Sequence, residues 1–168
     1  MISSLQESLE ATFKDVEFRV IEENRISVLA PGESIPLVLR HLKESGLDHL
    51  ALVSCVDRIE QGKLEVIYLL TSYMRNDTDY GPEQRLHVLL KARIPREAPR
   101  LKSAIGVFAN AEPYERELHE LYGVHFEGHP RLIPLFLERD YDVPPFRKDF
   151  DTRAYVEEKF GSIPPVGD

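Results

Sequence analysis

Apolar positions along this chain recur with two different periods, and the switches between them mark its elements. Leu5, Leu9 and Phe13 fall at helical spacing behind a Ser4/Glu7 capping box, which predicts a helix over about residues 4–13. Val16, Phe18 and Val20 then alternate with charged neighbours, as do Ile26, Val28 and Ala30 with polar ones, predicting two short strands turning through residues 22–24. Ser34 is placed to cap a second helix, with Ile35, Val38, Leu39 and Leu42 inward and Gly46 ending it. Two dense apolar runs follow, residues 49–57 and 63–72, separated by a turn at Gln61-Gly62; both read as strands buried on two faces.

The stretch 73–82 (YMRNDTDYGP) is polar and reads as a loop. Residues 84–93 alternate again, Leu86, Val88, Leu90 and Ala92 against Arg85, His87, Lys91 and Arg93, which predicts a strand with one solvated face. A brief helical turn is expected near 101–107. A helix over 111–122 follows, with Asn110 as cap and Pro113 in its first turn. Tyr114, Leu118, Leu121 and Tyr122 form its apolar stripe; Glu112–Arg116 and Arg116–Glu120 are spaced for ion pairs, and Gly123 for a left-handed end. Prolines after residue 131 remove any strong period, so the chain there should run extended over a surface, and 151–168 reads as a polar tail. Strands in runs with segregated helices predict an α+β domain over 1–130. Its sheet is largely antiparallel or mixed, of about five strands with helices on one face, and a proline-rich extended arm follows over 131–168.

Charge narrows the functions available. At 168 residues the chain is large enough for its own core, and its net charge of −8, with dispersed Lys and Arg, argues against nucleic acid or an anionic lipid surface. The lone Cys55 excludes an internal disulfide and a multi-cysteine cluster built by this chain; inside an apolar strand it reads as a small inert hydrophobe. No secretory signal is visible and no apolar run reaches the ~18 residues of a membrane helix.

Three constellations offer chemistry. His119, His125 and His129 lie within eleven residues, yet their spacing matches no familiar zinc motif. Glu115, Glu117 and Glu120 share a helix, where a solvated charged face is the plainer reading than paired acid–base carboxylates. Tyr122, His125, Phe126, His129, Tyr141 and Phe146, with Arg116, Arg147 and Lys148, supply the aromatic and cationic mixture of a partner surface. The alternative for that last group is an arm packed on its own domain.

Two segments carry a resemblance. Glu115, Arg116 and Glu117, then Tyr122, Gly123, Val124 and Phe126, then Gly128, His129 and Pro130, and finally Pro145, Arg147, Lys148, Asp149 and Phe150, resemble in order the signature of the 30-kDa subunit of respiratory complex I and its counterparts in membrane-bound [NiFe] hydrogenases. Leu121 stands where that family often has methionine, and Arg131, Leu132, Ile133, Pro134 replace its paired arginines, which points to the hydrogenase-like branch.

The resemblance implies an accessory subunit of a hydrophilic arm, with no catalytic residue, metal or cofactor of its own. Iron–sulfur clusters and a NiFe or quinone site are then expected in partner subunits. The implied partners are a large 49-kDa-type or [NiFe] hydrogenase-like subunit and a small iron–sulfur subunit. Attachment to the cytoplasmic side of the membrane runs through these partners only. Glu115, Arg116, Glu117, Tyr122, Gly123, Phe126, His129, Pro130, Pro145, Arg147, Lys148, Asp149 and Phe150 become its partner interface, with Arg147 and Asp149 in charge pairs to the large subunit. The rival readings are a free-standing metal-dependent hydrolase built on the three histidines, and a soluble adaptor.

Overall fold

A computed structural model describes residues 2–72, 85–137, 141 and 143–161. The expected loop at 73–82 and the last residues of the tail lie outside these.

The described residues form helices α1 (Ile2–Thr12), α2 (Ile35–Glu44), α3 (Ala111–Tyr122) and α4 (Thr152–Phe160). They also form strands β1 (Glu17–Glu22), β2 (Arg25–Leu29), β3 (His49–Arg58), β4 (Lys63–Thr71), β5 (His87–Pro95), β6 (Arg100–Lys102) and β7 (His125–Glu127). The main sheet runs β1-β2-β5-β4-β3. It is mixed: β2 and β5 pair in parallel and the other neighbours antiparallel. The parallel pair has a topological cause. After β2 the chain crosses over through α2 to the far edge, then returns by two antiparallel steps, so β5 arrives beside β2 pointing the same way.

Side chains stack across the strands in rows. Leu50, Leu70, Val88 and Ile26 form one, and Val53, Tyr68, Leu90 and Val28 the next. Leu5 and Leu9 of α1, Ile35, Val38, Leu39 and Leu42 of α2, and Leu118 of α3 bury this face in one core. Burying each such aliphatic side chain is worth ~1.5–3 kcal/mol, so their sum dominates the stability of the fold.

Several local expectations change. The first helix begins at Ile2, leaving Ser4 inside it rather than at its cap. β3 is not buried on both faces: Leu52, Ser54 and Arg58 are exposed, because β3 is an edge strand with a helix on one side only. β4, next to it within the sheet, is buried on both faces at Leu64, Glu65, Val66, Leu70 and Thr71. The expected helical turn at 101–107 starts as strand β6, which pairs in parallel with β7 through Leu101 and Phe126. Within the tail, residues 152–160 form α4: Asp151 Oδ1 accepts from Ala154 N at 3.0 Å, and Gly161 ends the helix at φ +81°. A cap, a spaced Arg153–Glu157 pair and a terminal glycine are all readable signals, and they outweigh the segment's polarity.

Candidate functional site

The two motif segments meet at α3, and the helix is held there by unusual means. Asn110 stands at its N-cap without a capping bond; its Nδ2 donates instead to Leu50 O at 2.8 Å. One turn on, Tyr114 Oη donates to Ala51 O at 3.0 Å. Two carbonyls of the β3 edge are thereby closed off, so α3 is bolted to an edge strand that would otherwise be open to pairing.

Glu115 is fully buried, not part of a solvated face. Its carboxylate accepts from Ser103 Oγ at 2.7 Å and Ala104 N at 2.6 Å, tying α3 to the turn after β6. Burial pushes its pKa from the ordinary 4.5 up to about 7, against the pull of those two donors. Phe126 is also buried, against Leu101. As members of a partner surface these two residues are misplaced: their parity and their neighbours turn them into this chain's own core.

Arg116 and Glu120 act on the arm's backbone. Arg116 donates from Nε to Ile133 O at 3.0 Å and from Nη2 to Pro134 O at 2.9 Å, and its pair with Glu112 is a long 3.4 Å. Glu120 does not pair with Arg116. Its carboxylate accepts from the amides of Leu135, Phe136 and Leu137 at 2.6, 2.9 and 3.3 Å. A cation on carbonyls followed by an anion on amides fixes the direction of the segment whatever its side chains are. Phe136 is left 68% exposed. Glu120→Ala is expected to raise amide exchange at 135–137 by about tenfold while α2 and the sheet keep their protection, as mass spectrometry of exchanged peptides will read out.

Residues 144–150 lie closer still. Phe146 N donates to Leu121 O at 3.0 Å, Arg147 Nε to Tyr122 O at 2.8 Å, and the Tyr122 and Phe146 rings meet edge-on at 5.9 Å. Gly123 has φ +76°, and a Cβ there would stand 2.9 Å from Pro144 Cγ and 3.1 Å from Arg147 Nη2. Both the backbone and the space require glycine.

Beneath this segment is an ionic cluster. Arg96 is buried; its Nε and Nη2 reach Asp57 Oδ1 and Oδ2 at 2.9 and 3.1 Å, and Nη2 also pairs with Asp149. Lys148 N donates to Asp57 Oδ2 at 2.9 Å. Burial works against an ionised Asp57, but Arg96 and the Lys148 amide outweigh it and hold its carboxyl below the usual range. Arg96 does the same to Asp149, and the two carboxylates raise the guanidinium in turn. The charges that the resemblance assigns to pairs with a large subunit are thus engaged inside this chain. Asp57 was legible only as the end of a strand, although it shares the parity of Val53 and Cys55. Arg96, after a strand-ending proline, carried no signal.

The remaining site residues are peripheral. Glu117, Tyr122, His129, Pro145 and Phe150 are half-buried, and Pro130 and Lys148 are exposed. Phe150 packs with Tyr141 and Tyr155 of α4. Burial, helped by Asp57, pushes the Cys55 thiol up to about 12, so it holds its proton and is not a nucleophile.

The histidines do not converge. His119 Nδ1 lies 2.9 Å from Val124 O, which can only accept, so this nitrogen carries the proton. His129 accepts from Arg131 N at Nδ1 and faces Glu112 O with Nε2, leaving neither nitrogen free. His119 and His125 ring centres are 6.5 Å apart. Among the described residues no group of three His, Cys, Asp or Glu is placed to hold a metal ion. The three histidines on which the hydrolase reading rests do not form a metal site.

Comparisons with known proteins identify relatives over most of the chain. The family model described as respiratory-chain NADH dehydrogenase, 30 Kd subunit, matches residues 28–156. A subunit of the F(420)H(2) dehydrogenase of Methanosarcina mazei is 38% identical over 129 residues, 76% of each chain. The corresponding subunit of the NADH-quinone oxidoreductase of Neorickettsia sennetsu is 29% identical over 147 residues, 87% of this chain and 74% of that one. Among solved structures, a chain of a membrane-bound sulfane sulfur reductase, an archaeal respiratory membrane complex, superimposes with a TM-score of 0.81 at 28% identity, covering 99% of this chain and 94% of the other.

Proposed function

Because this chain belongs to the family of the 30 Kd subunit of respiratory-chain NADH dehydrogenase, we propose that it is a bracing subunit of a membrane-associated, complex I-like oxidoreductase. It carries no catalytic group. Its task is geometric: to hold a large subunit, of the 49-kDa or [NiFe] hydrogenase type, and a small iron–sulfur subunit in fixed relation while electrons pass through them. Order in a reacting site depends on rigid support around it, and a preformed brace supplies that support without reorganising on binding.

One observation carries this reading. Arg116 and Glu120 grip the arm by its backbone, so that Ile133 and Phe136 stay exposed at its surface, and Phe146 stands out beyond α3. Large apolar side chains held rigid in water are what interface anchors look like before a partner arrives. The names of the relatives support it too. They span F(420)H(2), NADH-quinone and sulfane sulfur chemistry, as a part indifferent to donor and acceptor would. The hydrogenase-like branch is our preferred assignment, on the Arg131-Leu132-Ile133-Pro134 stretch that replaces paired arginines.

Among the described residues no helix is long and apolar enough to cross a membrane, and we assign attachment to the partner subunits. The test uses Phe136→Asp with Phe146→Asp in the source organism. Both rings are more than half exposed, so the purified chain should unfold within about 0.5–1 kcal/mol of wild type. Wild-type chain should sediment with membranes together with the large subunit, and the double variant should appear mostly in the soluble fraction. Full retention of the variant on the large subunit removes the arm from the interface.

A further inference from the structure

The helices cover one face of the main sheet, and no described helix covers the other. Ser27, Leu89, Leu69 and Leu52 form a row across four strands on that open face, about 14 Å long at the usual strand spacing. Ile67 and Leu29 flank it in the next row. Leu52 is 38% exposed and the others half-buried. An ordinary solvated face would alternate to polar residues here, as the same strands do elsewhere.

The charges around this stripe are segregated. By register, Arg19, Arg25, Arg58, Lys63, Lys91 and Arg93 lie on the open face, against Glu17, Glu22 and Glu65. Six basic side chains to three acidic ones is a positive surface, on a chain whose net charge is −8. Glu65 shows how it is built. Its side chain is almost wholly buried, and its carboxylate receives Arg58 Nη2 at 2.9 Å and Arg93 Nε at 2.8 Å. Each arginine stays close to half exposed. A guanidinium has five N–H donors, so a carboxylate that takes one from each lays both planes against the sheet with donors to spare.

Resting on the reading of this chain as a subunit, we propose that the open sheet face is a second docking surface, which receives an apolar protein surface rimmed by Asp and Glu from another subunit of the complex. The apolar row supplies buried area, and the paired arginines with Lys91 accept the carboxylates. The excess of positive charge on this face sets the sign of its partner. A nucleic acid or lipid surface fits less well, since the acidic remainder of the chain repels polyanions and the row is apolar at its centre.

The experiment places a photo-crosslinking benzoylphenylalanine at position 52 in the otherwise native complex, isolated from membranes with and without Lys91→Glu. The expected product is a single adduct with another subunit, mapped to a peptide containing Asp or Glu, and reduced at least fivefold by Lys91→Glu. Leu52→Asp should lower retention of the chain in the complex at least threefold, with the purified variant's unfolding midpoint unchanged. Should Leu52→Asp fail to fold, the crosslink alone decides. An adduct with a second copy of this chain, with lipid or with nucleic acid, or no adduct from an assembled complex, overturns the proposal and leaves the bracing role standing. Wild-type chain found in no complex overturns both.

Discussion

Arg96→Leu is expected to cost about 3–5 kcal/mol of folding stability, the largest loss that a single substitution among the charged residues should give. Arg96 is buried between Asp57, equally buried, and Asp149. Removing the guanidinium leaves the buried Asp57 carboxylate with the Lys148 amide and only the charge of Arg147, which makes no ion pair with it, nearby. Urea denaturation of the purified chain measures the loss, and the thermal midpoint should fall by about 10 °C or more. Asp149→Asn should cost far less, about 0.5–1 kcal/mol, because Asp149 is half exposed and water replaces much of what it loses. The acid limb gives a second reading. A carboxyl held below its ordinary 3.8 contributes stability that is present above that value and lost as pH falls through the lower, folded one. Asp57 and Asp149 both do so in the wild type, and Arg96→Leu should flatten that limb. Equal stabilities for wild type and Arg96→Leu would mean that residues 144–150 are not latched to the sheet.

Glu115→Gln is expected to act in the opposite sense, with an effect that builds between pH 4.5 and 7. The folded-state pKa of Glu115 is raised from 4.5 to about 7, so its protonated form is the stable one inside the protein. Its contribution is complete below pH 4.5 and is lost as pH climbs through 7. At roughly 1.4 kcal/mol per unit, wild type should lose about 3 kcal/mol across that window relative to a variant that cannot ionise. Glutamine keeps an oxygen for Ala104 N and can donate to Ser103 Oγ, so the two proteins should be close at pH 4, diverge from about pH 4.5 and stay a constant distance apart above 7. Paired melts from pH 4 to 9 provide the difference curve. A flat difference would mean that Glu115 is ionised in the fold throughout, or reached by water.

Both sites expose the reach of pattern reading. Alternation in β5 placed Val88, Leu90 and Ala92 inward, and all three are fully buried. The α3 stripe, its glycine stop at Gly123 and the turn at Gly62 were legible because each follows from local geometry. Glu115 was misread for an equally local reason. On a helix rich in glutamates a solvated face is the default, and only the approach of Ser103 and Ala104 makes burial tolerable. Arg116 and Glu120, four apart, suggested an ion pair with each other; an arm passing overhead offered each a set of backbone groups instead. Asn110 and Ser34 were placed correctly as caps, yet neither side chain makes a capping bond.

By itself the sequence determined whatever depends on neighbours within a few residues. That covers most of the elements, which faces turn inward, where glycine must stand, and the ordered motif that marks the family. Tertiary structure alone decided the direction of β5 against β2, the burial of Glu115, the latch between Asp57, Arg96 and Asp149, and the open face with its two arginines on one carboxylate. The reason is range. Period and capping act over a turn or a strand, whereas Asp57 and Lys148 are 91 residues apart and meet only because the tertiary fold brings them together. Charges that are harmless in any local frame become decisive once water is removed from between them.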